Sequence, residues 1–418
     1  VASSTSFYDE ALQTMTREDR RALQDERLAE ASERIYGLPI PFFRRRLEEA
    51  GIGPGELSLA NLSSVRPFVK ADLRRSEAEH PPFGDYRGAA VMDCVRVAQT
   101  TGTTGKPTVL FWTPRDLEVE YNAYARNQWR QGYKPGETIM VTAHPGYLNN
   151  GEPMNRAAAE RYGFLCVSIG PPTDDASIEP ALRLLSLLKP NRYVVLGPAL
   201  QRLNEAAVKF GYDPAEDLKL PPPDDSIAFQ WRQISAGADA FSYLGTECSE
   251  QAGAHLNEDL AVVEVLDPVT YEPVPPGERG NLVITTLGRD SLVVRYDIGD
   301  VIRVDEAQCP CGETTRRGFY DGRRSDVVNV GGTQVMPIDV AIELAKDDDL
   351  GRPGPVYQLV RRGETQKRLE IRAEGDGGGH NAELLLEEKL GVDVEITVLP
   401  RGTMARASYK PSLVADEQ

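Results

Sequence analysis

Cysteine is scarce in this 418-residue chain, with five in all, and long apolar runs are absent, none approaching the ~18 residues of a membrane-spanning helix. Val1 to Arg20 is polar and acidic and has no apolar signal-like stretch. A membrane-spanning protein and a secreted disulfide scaffold are therefore not expected; a cytoplasmic protein is. Positive charge is also in short supply. Lys and Arg number 47 against 64 Asp and Glu, giving a net charge of -17, so a surface that neutralises nucleic-acid phosphates or anionic lipid is not expected either. What remains is 40% hydrophobic and 27% charged, the balance of a soluble globular protein with enough apolar residues for sizeable cores. Its length is about twice that of a single typical domain, which predicts two.

The pattern along the chain supports that division. Tyr8 to Ala50 reads as helices, with Leu23, Leu28, Ile35 and Leu47 spaced among Arg and Glu. From Val91 the pattern changes to short β-rich runs, Val91 to Val97, Thr108 to Trp112, Thr138 to Thr142, Leu165 to Ile169 and Tyr193 to Leu196, with helical segments such as Pro114 to Gln131 and Glu179 to Leu188 between some of them. A second β-rich block spans Leu260 to Val304. The polar stretch Asp321 to Asp326 reads as a boundary. After it the order is strand, helix, strand, strand, helix, strand, ending at Leu399. The expected fold is thus α/β: a large multi-sheet N-terminal domain, residues 1–323, and a small, mobile α+β C-terminal domain, residues 324–418.

Two constellations carry chemistry. Thr101, Gly102, Thr103, Thr104, Gly105 and Lys106, between Thr100 and Pro107, have the small residues that let backbone N–H groups and hydroxyls surround phosphate oxygens. They do not form the P-loop of nucleoside triphosphatases, because only two residues separate the glycines, and Pro107 and a strand-like run follow Lys106. The loop is expected to join two strands and close over a triphosphate; the alternative is a Gly/Thr hairpin turn with no ligand. The second constellation is Cys248, His255, Cys309 and Cys311, a Cys₃His set suited to tetrahedral zinc. With four protein ligands such a metal would be structural. The alternative is separate buried thiols and a surface histidine. Cys94 and Cys166, in apolar strand-like runs, read as core residues.

In order along the chain stand the Thr/Gly loop, Tyr243-Leu244-Gly245-Thr246-Glu247, Gly280-Asn281-Leu282-Val283-Ile284-Thr285-Thr286-Leu287, Arg295-Tyr296-Asp297-Ile298-Gly299-Asp300, Gly322-Arg323-Arg324-Ser325-Asp326, Gly331 to Pro337, and Gly402 to Lys410. In this order and spacing, the chain resembles the adenylate-forming ligases, and among them the phenylacetate-CoA ligase branch, over nearly its whole length. The resemblance implies that Tyr243 stacks on adenine, Thr246 contacts the α-phosphate, Glu247 ligates Mg²⁺, Asp300 accepts from both ribose hydroxyls and Arg323 contacts ribose or phosphate. It implies that Lys410 closes over the α-phosphate. Each role suits its side chain: a carboxylate is a hard ligand for Mg²⁺ and a two-oxygen acceptor for a vicinal diol, and an ammonium offsets charge gathering at phosphorus. The implied activity joins a small carboxylic acid, aromatic or arylacetic, to CoA by way of an acyl-adenylate, using ATP and Mg²⁺, with zinc as a structural ion and a homodimer as one assembly to consider.

There are departures from the branch. A Gly-Ala-Glu segment that lies well upstream of the tyrosine in the branch has its nearest match, Gly237-Ala238-Asp239, almost directly before Tyr243. Gly and Leu are exchanged after Tyr243, and Asn281, Ser325 and Gly331 replace a usual Glu, Asp and basic residue. They leave two alternatives open: an enzyme that passes the acyl group to an amine or a carrier-protein thiol, and a decayed nucleotide-binding or zinc-stabilised regulatory module. His144 to Gly151 aligns with a segment bordering the acyl pocket, or is an ordinary Pro/Gly/Asn loop.

Overall fold

Thr113 and Asp116 cap each other to start the 17-residue helix Pro114–Arg130. The Asp116 N–H donates to Thr113 Oγ1 (3.2 Å) and the Thr113 N–H to Asp116 Oδ2 (3.0 Å), while Pro114 occupies the first turn, where a missing N–H costs nothing. The computed structural model describes residues 7–100, 107–144, 150–195, 197–222, 233–234, 241–351, 355–404 and 412–417. The chain begins with α1 (Glu10–Gln13), α2 (Arg17–Gly37), α3 (Pro41–Glu49), β1 (Phe68–Val69), α4 (Lys70–Glu79), β2 (Arg96–Gln99), β3 (Val109–Trp112) and the capped helix, α5. It continues with β4 (Ile139–Thr142), α6 (Gly151–Tyr162), β5 (Leu165–Ser168), α7 (Asp175–Leu188), β6 (Arg192–Val194), α8 (Gly197–Lys209) and β7 (Gln233–Ile234). Next come β8 (Gly245–Glu247), β9 (Ala254–Leu256), β10 (Ala261–Leu266), β11 (Gly280–Thr286), β12 (Tyr296–Asp305) and β13 (Arg317–Arg323). The last elements are β14 (Val328–Val330), β15 (Thr333–Val335), α9 (Pro337–Leu344), β16 (Tyr357–Arg362), β17 (Leu369–Glu374), α10 (His380–Leu390), β18 (Val394–Leu399) and β19 (Val414–Glu417). This is the expected α/β class.

The chain divides into two units. The first comprises Val1–Glu137, Pro145–Phe164 and Trp231–Tyr320. Its main sheet has the order β10-β11-β12-β13-β9-β8-β7, with β1 running parallel to β12. The Phe68 and Tyr296 rings stack 4.7 Å apart where β1 and β12 meet, inside a core that includes Phe43, Leu47, Tyr124 and Ile284. Helix α5 is buried along much of its length, and its buried charged side chains are paired across the fold. Asp116 accepts from the Asp290 and Ser291 N–H groups (2.8 and 3.0 Å), Glu120 from Arg289 (2.7 Å), and Arg126 holds both oxygens of Asp259 (2.6 and 2.9 Å). Burial pushes the Asp259 carboxyl upward, but the Arg126 charge and hydrogen bonds prevail and leave it below the usual carboxylate range.

The second unit comprises Thr138–His144, Leu165–Gln230 and Asp321–Gln418. It contains the parallel sheet β5-β4-β6, whose Val141 and Val167 share a core with Leu182, Leu185 and Leu203 of α7 and α8. It also contains the sheet β18-β17-β16-β19 and the hairpin β14-β15. After Asp326 the expected order of elements is present, with two strands added. Strand β15 pairs with β14 through the two-residue turn Gly331-Gly332, whose φ angles of +57° and +95° suit glycine, and this accounts for glycine in place of a basic residue at 331. Strand β19 lies parallel to β16, with Leu359 opposite Val414. The run Val91 to Val97 departs from expectation. Val91–Asp93 is a 3₁₀ turn, β2 starts only at Arg96, and Val91, Val95 and Val97 are exposed, so the apolar run does not enter a core and Cys94 is half-exposed beside it.

The Arg126–Asp259 pair sets a stability test. Asp259→Ala leaves a buried guanidinium uncompensated and should cost about 3–5 kcal/mol in urea denaturation, whereas Arg126→Met with Asp259→Leu should recover much of it. Equal losses in the single and double variants would contradict this account.

Candidate active site and metal centre

Strands β8 and β9 carry Thr246 and Glu247 of the family segment and His255 of the metal set. They are antiparallel, with Gly245 opposite Leu256, Thr246 opposite His255 and Glu247 opposite Ala254. Their approach is so close that a Cβ at position 245 would lie 2.5 Å from the His255 carbonyl oxygen. Glycine is therefore required at 245, while Leu244 is fully buried in the core; the exchange of the two residues follows from the packing of this hairpin. The Tyr243 ring meets Tyr124 of α5 edge-on, 5.1 Å between centroids, and Thr246 Oγ1 accepts from Gln131 Nε2 just past the end of α5 (3.0 Å). Thr246 is fully buried and Glu247 is 9% exposed.

Tyr243, Thr246 and Glu247 thus lie on one short segment. Asp300, buried on β12, belongs to the same sheet, separated from β8 by β13 and β9. Arg323 ends β13 and belongs to the second unit. Asn281, where the branch has Glu, is buried on β11 and donates to Asp297 Oδ2 (3.0 Å), which also accepts from the Tyr271 hydroxyl (3.1 Å). Thr101 to Lys106, Gly237 to Asp239, Pro145 to Asn149 and Lys410 lie outside the described residues.

The four proposed metal ligands converge. Sγ of Cys248, Cys309 and Cys311 and a ring nitrogen of His255 all lie within 4.8 Å of one another, with 3.7 Å between Cys248 and Cys309 and 3.3 Å between Cys311 Sγ and His255 Nε2. Cys248 directly follows β8 and His255 lies in β9. Cys309 and Cys311 sit on the turn between β12 and β13, closed by the Gly312 N–H donating to the Cys309 carbonyl (3.1 Å). Pairing of Arg317 with His255 brings that turn to the hairpin. Burial pulls His255 down to about 4, opposed by nearby Glu313, so the imidazole is neutral at neutral pH and able to bind a metal. Burial pushes the Cys311 thiol up to about 12 and raises Cys248 as well.

Behind this cage stands a group that sequence reading did not find. Glu313 Oε1 accepts from Thr315 Oγ1 (3.0 Å), and that hydroxyl lies 3.1 Å from His255 Nδ1. Glu313 is bound at both oxygens by Arg130, from the last turn of α5, and at one by Gln13 (3.1 Å) from the end of α1. Burial works against the ionised Glu313, but Arg130 outweighs it and holds the carboxyl down to about 2. Arg130, His255 and Glu313 are far apart in the chain and belong to no local pattern, so only the fold brings them together.

No family model matches the chain. It is 30% identical to a phenylacetate-coenzyme A ligase of Thermus thermophilus, across 96% of this chain and 97% of that protein. It is 28% identical to the enzyme of that name from Pseudomonas putida, across 97% of this chain and 96% of that protein, and 25% identical to that of Escherichia coli, across the same shares. Among solved structures, that of 2-hydroxyisobutyryl-CoA ligase in the postadenylation state matches with a TM-score of 0.86 over 100% of this chain and 94% of that one, at 24% identity, a likeness of fold. With the Tyr243–Glu247 segment and Asp300 set on one sheet of that fold, and a relative similar from end to end, the chain belongs to the phenylacetate-coenzyme A ligase family of adenylate-forming enzymes.

Proposed function

We propose that the protein is an ATP-dependent acid-CoA ligase that activates an aromatic or arylacetic carboxylic acid as an acyl-adenylate. The observation that carries this reading is the full-length similarity to phenylacetate-coenzyme A ligases, supported by Thr246 and Glu247 lying together on β8. In the first step a carboxylate oxygen bonds to the α-phosphorus of ATP, the bond to the β-phosphate bridging oxygen breaks, and pyrophosphate leaves. In the second, the sulfur of CoA bonds to the acyl carbon and AMP departs, the thiol proton passing to solvent.

The chain's own residues bind and orient. Tyr243 offers an aromatic face to adenine, Asp300 takes the ribose diol, and Thr246 Oγ1, held by Gln131, contacts the α-phosphate. Arg323 contacts ribose or phosphate. Thr101 to Lys106 close over the phosphates. Glu247 would hold Mg²⁺, which when bound offsets phosphate charge. Lys410 serves the first step, where charge builds at phosphorus. The exposed 3₁₀ turn Arg324–Asp326 is the hinge about which residues 324–418 exchange roles between the two steps. Cys248, His255, Cys309 and Cys311 would hold a structural zinc, since three thiols and a neutral imidazole form a soft, four-coordinate donor set.

Pyrophosphate exchange across a panel of carboxylic acids that includes phenylacetate tests the first step, and an acceptor screen of CoA, amines and carrier-protein thiols tests the second. Exchange with none of the acids would defeat the proposal; thioester formation on CoA would exclude an amine or carrier protein as the sole acceptor.

Lys410→Ala should slow acyl-adenylate formation ~100-fold or more, the scale of a lost charge-stabilising donor, while conversion of supplied acyl-adenylate to acyl-CoA stays nearly intact. Adenylate formation at the parent rate would assign that charge to another cation. Purified protein should contain about one zinc per chain, and Cys309→Ser with Cys311→Ser should lose it. Because an ordinary thiol is largely protonated at neutral pH and burial raises Cys248 and Cys311 further, binding of zinc by three thiolates should release about three protons, and its affinity should rise with pH. A pH-indicator titration that detects no proton release would contradict thiolate ligation.

A further inference from the structure

Asn257 is fully buried one residue beyond β9 and ties down the start of the nucleotide-facing segment. Its N–H donates to the Leu244 carbonyl (2.7 Å), its Nδ2 donates to the Tyr243 carbonyl (2.8 Å) and to Asn127 Oδ1 (3.3 Å), and its Oδ1 accepts from Arg130 Nη2 (3.0 Å). Arg130 donates further to Asn127 Oδ1 (3.0 Å) and the His255 carbonyl (3.2 Å), and grips Glu313 through Nε (2.9 Å) and Nη2. Glu313 in turn reaches the cage twice. Its N–H donates to Cys311 Sγ (3.4 Å), and its carboxylate accepts from the Thr315 hydroxyl that faces His255 Nδ1. A continuous chain of hydrogen bonds therefore runs from two cage residues, through Glu313, Arg130 and Asn257, to the carbonyls of Tyr243 and Leu244.

We propose that Arg130 and Asn257 are positioning residues that couple the metal cage to the Tyr243–Glu247 segment, so that a filled cage sets the affinity for Mg·ATP. This rests on the reading of that segment as the adenylation site. With a metal on His255 Nε2 the ring proton sits on Nδ1 and donates to Thr315, whose own hydrogen is then directed to Glu313, and the relay has one orientation. With an empty cage the imidazole has both tautomers available and the Thr315 hydroxyl can reverse. The carbonyls at 243 and 244 then lose part of what fixes them. Two short links reinforce the relay, one covalent and one through strand pairing: Cys248 follows Glu247 directly, and His255 lies opposite Thr246 across the β8–β9 pair.

Coupling of this kind is reciprocal: zinc tightens Mg·ATP by the factor by which Mg·ATP tightens zinc. Calorimetry without carboxylic acid gives the Mg·ATP affinity of zinc-loaded and zinc-stripped chain, and competition with a zinc-selective chelator gives the zinc affinity with and without saturating Mg·ATP. The expected result is a ~10-fold factor in both measurements, within the usual range for coupled sites. In Asn257→Asp, which keeps an acceptor for Arg130 but loses the amide donor to Tyr243, the factor should fall close to one while zinc stoichiometry and circular dichroism are retained. A residue that merely stabilises the fold would lower the melting temperature and leave the coupling factor intact, and that result overturns the proposal. Mg·ATP affinity indifferent to zinc in the unaltered chain overturns it as well, without harm to the functional reading. A chain that binds no Mg·ATP defeats that reading and this inference together. The measurement on the unaltered chain needs no variant, so it decides the coupling even where Asn257→Asp does not fold.

Discussion

Arg130 and Glu313 form an ion pair whose side chains are 3% and 1% exposed, and the site in the first unit is arranged around keeping both charges satisfied. An uncompensated charge at such depth is strongly destabilising, so each remaining donor and acceptor must find a partner in a fixed direction. The partners are Gln13 from α1, Asn127 from α5, Asn257 and the His255 carbonyl from the β8–β9 hairpin, and Thr315 before β13. One ion pair thus brings four parts of the chain to a common point. Through Cys311 and Asn257 it is also hydrogen-bonded toward both the cage and the Tyr243 carbonyl.

The same economy governs helix α5. Its polar residues Asp116, Glu120, Arg126 and Asn127 are buried, and each is bonded outside its own helix. A helix carrying so many buried polar groups is held in one rotation and one axial position, because a shift would break several bonds at once. Gln131 at its end reaches Thr246, so the helix passes that rigidity to the segment proposed to meet the α-phosphate.

Charge bears on the proposed chemistry in a second way. A net charge of -17 does not favour long-range attraction of anions such as ATP or a carboxylate, so their binding would depend on local cationic groups. Lys106, Arg323, Lys410 and a Glu247-bound Mg²⁺ are the groups proposed for this. Such groups would act over hydrogen-bonding distances, where geometry rather than net charge decides, and this suits a reaction in which substrate charges change position at each step.

The sequence alone carried the fold class, most elements beyond residue 100, the candidate metal set Cys248, His255, Cys309 and Cys311, and the family pattern of the Tyr243–Glu247 segment, because periodicity, turn chemistry and motif order are local properties. It misjudged Val91 to Val97, since an apolar run does not reveal whether a core lies beside it. It left the Gly245 exchange unexplained, since the approach of the His255 carbonyl exists only once β8 and β9 pair. Strand β19 was invisible for a similar reason, being defined by its pairing with β16. Only the fold brings the Cys248, His255, Cys309 and Cys311 side chains, separated by as many as 63 positions, within 4.8 Å of one another, and connects them by hydrogen bonds through Glu313, Arg130 and Asn257 to the Tyr243 carbonyl. Side chains brought together by strand pairing and by burial of a charge leave no periodic trace in the chain, because what selects them is the partner across space rather than the neighbour in sequence.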